Sequence, residues 1–140
     1  MYATHADIDS TYGEDLLYGL AGDGSGGVDA AKVDRALADA TDEVEMSLRG
    51  RYALPLSPVP LIVRRWVIDI ALAMVPSSGA AGSDLIAERA KAARLALKDV
   101  RSGGMVLDLP TADPAAPGGA GLIAFDGPGM VFDPATLRGM

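Results

Sequence analysis

Leu61-Ile62-Val63-Arg64-Arg65-Trp66-Val67-Ile68-Asp69-Ile70-Ala71-Leu72-Ala73-Met74 is the stretch on which the fold turns. Only Arg64, Arg65 and Asp69 interrupt its apolar side chains. Even carried on to Val75 it is too short to span a bilayer, which takes about 20 such residues. A helix that is apolar on nearly every side is usually one that others surround. The stretch therefore predicts a central core helix from Leu61 to about Met74. Asp69 stands inside it, where an unpaired charge is costly. It is expected to form a buried structural ion pair, with Arg65 one turn away or with Arg51 just upstream.

Upstream lies Arg51 to Pro60, which holds Pro55, Pro58 and Pro60. Each proline lacks an amide donor and pushes its predecessor out of the helical region, so this segment reads as a stiff, extended connector. Pro60 suits the first turn of the helix that follows. Before the connector, Val33, Leu37, Ala40, Val44 and Leu48 recur at spacings of 4, 3, 4 and 4, one apolar stripe of an amphipathic helix. Asp29 is its natural N-cap and Gly50 its stop. Further upstream, Thr4 is placed to cap a short helix from His5 to about Ser10. Gly13 then separates it from a second, Glu14 to Leu20, with Ile8, Leu16, Leu17 and Leu20 as core candidates.

Downstream, residues 76–82 read as a loop. Ser83 opens a last helix running to about Arg101, with Ile86, Ala90, Ala93, Leu97 and Val100 on its apolar stripe and Gly103-Gly104 as its stop. From Met105 the character changes: five prolines, many glycines and little helical period. Apolar clusters nevertheless punctuate this tail, at Leu122–Phe125 and Met130–Phe132 among others. The expected architecture is all-α: a small four- to five-helix domain over residues 1–102, with an extended C-terminal docking arm over 103–140 that forms short strands on a partner. A chain cut at Gly103 is expected to keep the domain folded.

Composition narrows the chemistry. With no cysteine there are no disulfides, thiolate metal sites or thiol nucleophiles. His5 is the sole histidine, which removes a hydrolase triad and any multi-histidine metal site. The Met1-Tyr2-Ala3-Thr4-His5 start has neither the basic nor the apolar region of a signal peptide. The net charge of −7 is unevenly spread. Residues 1–50 carry 11 acids and 3 bases, whereas residues 51–102 carry 4 acids and 8 bases. An acidic chain is a poor general binder of phosphate backbones, but a subunit with one acidic and one basic flank attracts its own neighbour head to tail. Asp39, Asp42, Glu43 and Glu45 on one helix, and Arg89, Lys91, Arg94, Lys98 and Arg101 on the other, are the expected interface between copies.

Two motifs in the glycine-rich loop are weak. Read as a calcium loop from Asp23, the fifth position is Gly27 and the sixth is Val28, so two requirements fail. Gly22, Gly24 and Gly27 match a dinucleotide-type spacing, but no buried strand precedes them and the helix that follows is acidic. No cofactor or metal is expected, and no catalytic residue.

Several blocks together resemble the small head-to-tail connector proteins of Mu-like tailed phages and prophages. Met1-Tyr2-Ala3-Thr4 with Asp7 and Tyr12-Gly13-Glu14-Asp15 looks like that family's opening. Asp23-Gly24 before Val28-Asp29 is similar to its loop. Arg51-Tyr52-Ala53-Leu54-Pro55-Leu56, then Val59-Pro60 and Asp69-Ile70-Ala71, form the most specific block. Val131-Phe132-Asp133 with Leu137-Arg138-Gly139 looks like its closing signature, although Asp133 stands where the family tends to carry Ser-Arg.

The resemblance implies a structural virion protein of the neck, made in the host cytoplasm. It implies a homo-oligomeric ring, typically dodecameric, beneath the portal protein. Such a ring extends the channel for double-stranded DNA without sequence-specific binding, joins the head to the stopper or tail-terminator protein, and needs no membrane. Leu122, Phe125, Met130, Val131, Phe132 and Leu137 are the expected anchors of the arm on its partner. The alternative is a cytosolic helical module or regulator that folds its tail onto one partner.

Overall fold

A computed structural model describes residues 1–75 and 83–112. The fold is all-α. Its helices are α1 (His5–Tyr12), α2 (Glu14–Ala21), α3 (Ala30–Leu48), α4 (Leu61–Met74) and α5 (Ser83–Ser102). Among the described residues β-structure is limited to two isolated bridges, Gly22 with Val28 and Tyr52 with Thr111.

The long helices form the core. α4 packs more extensively against α3 and α5 than any other helices pack together. Met74 at its end lies with Asp29, Ala36 and Asp39 near the start of α3, so α3 and α4 run antiparallel. The α3 stripe is buried as its spacing predicts, and Ala36 and Thr41 widen it. Thr41 is tolerated inside because its hydroxyl donates to Leu37 O (2.7 Å) and accepts from Tyr2 N (3.4 Å). On α5, Ile86, Ala90, Ala93, Leu97 and Val100 are buried, again as spaced. Complete burial of a Val, Leu or Ile side chain among these is worth about 1.5–3 kcal/mol.

α4 departs from expectation at its first turn. Val63 and Trp66 to Leu72 are buried, but Leu61 is 79% and Ile62 44% exposed. The helix is surrounded along most of its length and projects an apolar tip.

α1 runs on to Tyr12, where Gly13 takes a φ of 84° and ends it. Its start is held by Asp7 reaching back: the carboxylate accepts from Thr4 N and Thr4 Oγ1, both at 2.8 Å. Asp7 meets Arg64 at 3.3 Å, and Tyr12 meets Asp69. Both pairs are 57 residues apart in sequence, so α1 lies beside α4 and parallel to it.

The chain does not leave the body at Gly103. Gly103 has a φ of 91°, and Gly104 N and Met105 N both donate to Asp99 O. The segment then folds back: Leu107 is buried, Ala53 N donates to Pro110 O, and Ala112 N donates to Arg51 O, each of these bonds at 3.1 Å. Residues 104–112 are therefore packed against the helical body. The loop expected at 76–82 lies outside the described residues. So do the arm anchors Leu122, Phe125, Met130, Val131, Phe132 and Leu137.

Candidate interaction surface

Charge is concentrated on the two helices that flank α4. On α3, Asp39 and Asp42 are exposed, while Glu43 and Glu45 are half-buried. On α5, Lys91, Arg94, Lys98 and Arg101 are exposed and Arg89 is half-buried. The expected acidic and basic sets meet inside one subunit. Arg94 Nε lies 2.7 Å from Glu43 Oε1 and its Nη2 3.1 Å from Oε2, a two-pronged bond across the seam between α3 and α5. That bond holds the Arg94 guanidinium charge even more firmly than usual.

Two other members of the sets also have work within the chain. Glu45 stands beside the Tyr2 hydroxyl, which burial first and then this carboxylate push up to about 12. The Arg89 guanidinium sits over the Tyr12 ring, 4.9 Å from its centre. What remains for a neighbour is Asp39 and Asp42 on α3, against Lys91, Lys98 and Arg101 on α5.

Asp69 does not use either expected arginine. Its carboxylate accepts a hydrogen bond from the Tyr12 hydroxyl. Arg65 is exposed, and Arg51 is engaged elsewhere: its Nη1 donates to Val100 O at 3.1 Å, satisfying a carbonyl in the last turn of α5. A phenol serves Asp69 because it supplies a donor without bringing a second charge into the core. Burial and the neighbouring carboxylate raise the Tyr12 pKa, so the donor keeps its proton.

A cavity of about 250 Å³ opens beside this pair. Leu16, Leu72 and Ile86 form its apolar walls, and Tyr12, Asp69 and Arg89 its polar side. Leu85 at its rim is 58% exposed.

The glycine-rich loop closes on itself. Asp23 Oδ1 accepts from Ser25 N, Ser25 Oγ and Gly27 N at 2.7–3.0 Å. That hydroxyl, followed by the two amides, keeps the Asp23 carboxyl below its ordinary range. The carboxylate is thus committed to shaping the turn that leads into α3. His5 faces Asp9 across one turn of α1, with Nδ1 3.4 Å from Oδ2, a local half-buried pair.

Residue patterns did not reveal the role of the tyrosines. Tyr2 OH accepts from Leu56 N at 2.9 Å and pins the proline connector. Tyr52 OH accepts from Leu107 N at 2.8 Å and pins the segment after α5. Both rings are buried. The signal available was their setting, in Met1-Tyr2-Ala3-Thr4 and in Arg51-Tyr52-Ala53-Leu54-Pro55, where a tyrosine stands outside any helical stripe.

The family described as "Bacteriophage Mu, Gp36" matches residues 2–124, which takes in all five helices, the connector and the returning segment. The chain belongs to this Gp36 family. A relative among curated proteins, "Mu-like prophage FluMu protein gp36" of Haemophilus influenzae, is 46% identical over 44 residues. That stretch spans 31% of this chain and 31% of the relative. The protein is therefore a Mu-like phage protein. Leu122 falls inside the residues matched to the Gp36 family; Phe125, Met130, Val131, Phe132 and Leu137 lie beyond them. Among the described residues, no helix is long and apolar enough to cross a membrane.

Proposed function

We propose that this Gp36-family protein is a non-catalytic structural subunit that forms a ring at the head-to-tail junction of a Mu-like phage particle. In this role it sits beneath the portal protein, continues the DNA channel, and offers a platform to the stopper or tail-terminator protein. The observation that carries the reading is the polarity of a single subunit. Once Glu43 and Arg94 have neutralised each other, α3 still presents Asp39 and Asp42, and α5 still presents Lys91, Lys98 and Arg101. Unlike flanks on one subunit suit a heterologous interface whose rotation closes into a ring. The exposed apolar tip of α4, Leu61 and Ile62, adds a patch that contact with a neighbour would cover. Many weak contacts in a ring become collectively strong.

The test is to determine the mass of the purified full-length chain and its copy number in purified particles. The reading expects a closed oligomer and a fixed multiple copy number per particle. A chain that stays monomeric and is absent from particles would instead be a cytosolic module that binds one partner.

A further inference from the structure

The cavity beside Asp69 has the shape and chemistry of a receptor for an aromatic side chain. Its volume of about 250 Å³ exceeds that of an aliphatic cavity which accepts benzene, about 150 Å³. Leu16, Leu72 and Ile86 offer dispersion contacts on several sides. The Tyr12 hydroxyl and the Asp69 carboxylate already satisfy one another, so an occupant has no need to bring a polar group. Arg89, already over one ring, is suited to the face of a second.

The chain has two phenylalanines, Phe125 and Phe132, both beyond Ala112. Ala112 is held at Arg51, which itself binds the last turn of α5. Leu85, Ile86 and Arg89 stand in the first turns of that same helix. Ala112, the last described residue, thus lies toward one end of α5 and the cavity opens at the other. Ile86 to Val100 spans about 21 Å of helix, and the chain from Ala112 to Phe125 reaches up to about 45 Å, a length that serves its own cavity or a neighbour's; the ring reading assigns it to the neighbour. Donor and receptor toward opposite ends of a subunit suit a head-to-tail contact.

We propose that the cavity receives Phe125, carried by the Leu122–Phe125 cluster of a second copy of this chain. The inference rests on the ring reading above. It is tested in the full chain by Phe125→p-benzoylphenylalanine, made as an equal mixture of isotopically heavy and light protein, irradiated and mapped by mass spectrometry. The expected result is cross-links from position 125 to Leu72 or to the Leu85–Arg89 peptide that join heavy to light chains. Leu85→Asp, at an exposed position, is expected to abolish them while the helical circular dichroism is unchanged. Cross-links confined to one chain, cross-links mapping elsewhere, or cavity cross-links indifferent to Leu85→Asp would each overturn the proposal. Sedimentation of the same sample separates the two readings. Oligomers without cavity cross-links defeat only the receptor, whereas monomers defeat the ring as well.

Discussion

Asp69 carries its carboxylate in the most apolar helix of the chain, and one phenol partners it there. Removing a hydrogen-bond partner from a buried group costs about 1–3 kcal/mol. Tyr12→Phe is therefore expected to lower the urea-unfolding free energy by about that amount. Asp69→Asn, which keeps an acceptor for the phenol, should cost less. If the two variants prove equally stable, the Tyr12–Asp69 bond is not what supports the buried group. Tyr2 makes a prediction in pH. Its hydroxyl is pushed up from 10.0 to about 12 in the fold. The folded chain holds this proton more tightly than the unfolded one, so the associated stability is whole below pH 10 and is lost as pH rises from there through about 12. Denaturant titrations across that window should show the decline, and Tyr2→Phe should flatten it.

The helices were legible because their patterns are local. The α3 stripe and the α5 stripe each follow helical spacing, and Asp29, Gly50 and Gly103-Gly104 mark their ends. What could not be read was how the elements close on one another. Sequence proximity put Arg65 and Arg51 forward for Asp69, but the fold brings the Tyr12 hydroxyl to it from 57 residues away. Likewise, the proline and glycine content after Gly103 concealed a return: Leu107 reaches the core and the Tyr52 hydroxyl, through a contact 55 residues long in sequence. The element-scale prediction follows. A chain ending at Ala112 keeps Leu107 and Leu109 in the core. One ending at Gly103, which strips Leu107 and Leu109 from the core, should unfold earlier in thermal melts. Gly103→Ala should also destabilise, by about 1 kcal/mol or more, because the position needs positive φ. A Cβ there would lie 2.5 Å from Arg51 Nη1, so Arg51→Ala in the same chain should relieve only the steric part of that loss.

At the scale of the whole molecule, the charge split between residues 1–50 and 51–102 was visible in the sequence, but its partial cancellation across the α3–α5 seam was not. Assembly through the remaining charges should weaken as salt rises, since exposed charges are screened beyond about 8–10 Å at physiological ionic strength. Asp39→Lys with Asp42→Lys should shift the full chain toward monomer in sedimentation at low salt, and adding Lys91→Glu with Lys98→Glu should restore assembly in part. Glu43→Gln should act differently: it leaves Arg94 without its carboxylate and loosens the subunit itself.

The bonds from Ala112 to Arg51 and from Ala53 to Pro110 have a mechanical meaning too. They act as a strain relief on a cable. A pull on the trailing residues is taken up first where the cord is clamped to the proline connector, and it reaches the last turn of α5 only after that clamp gives way.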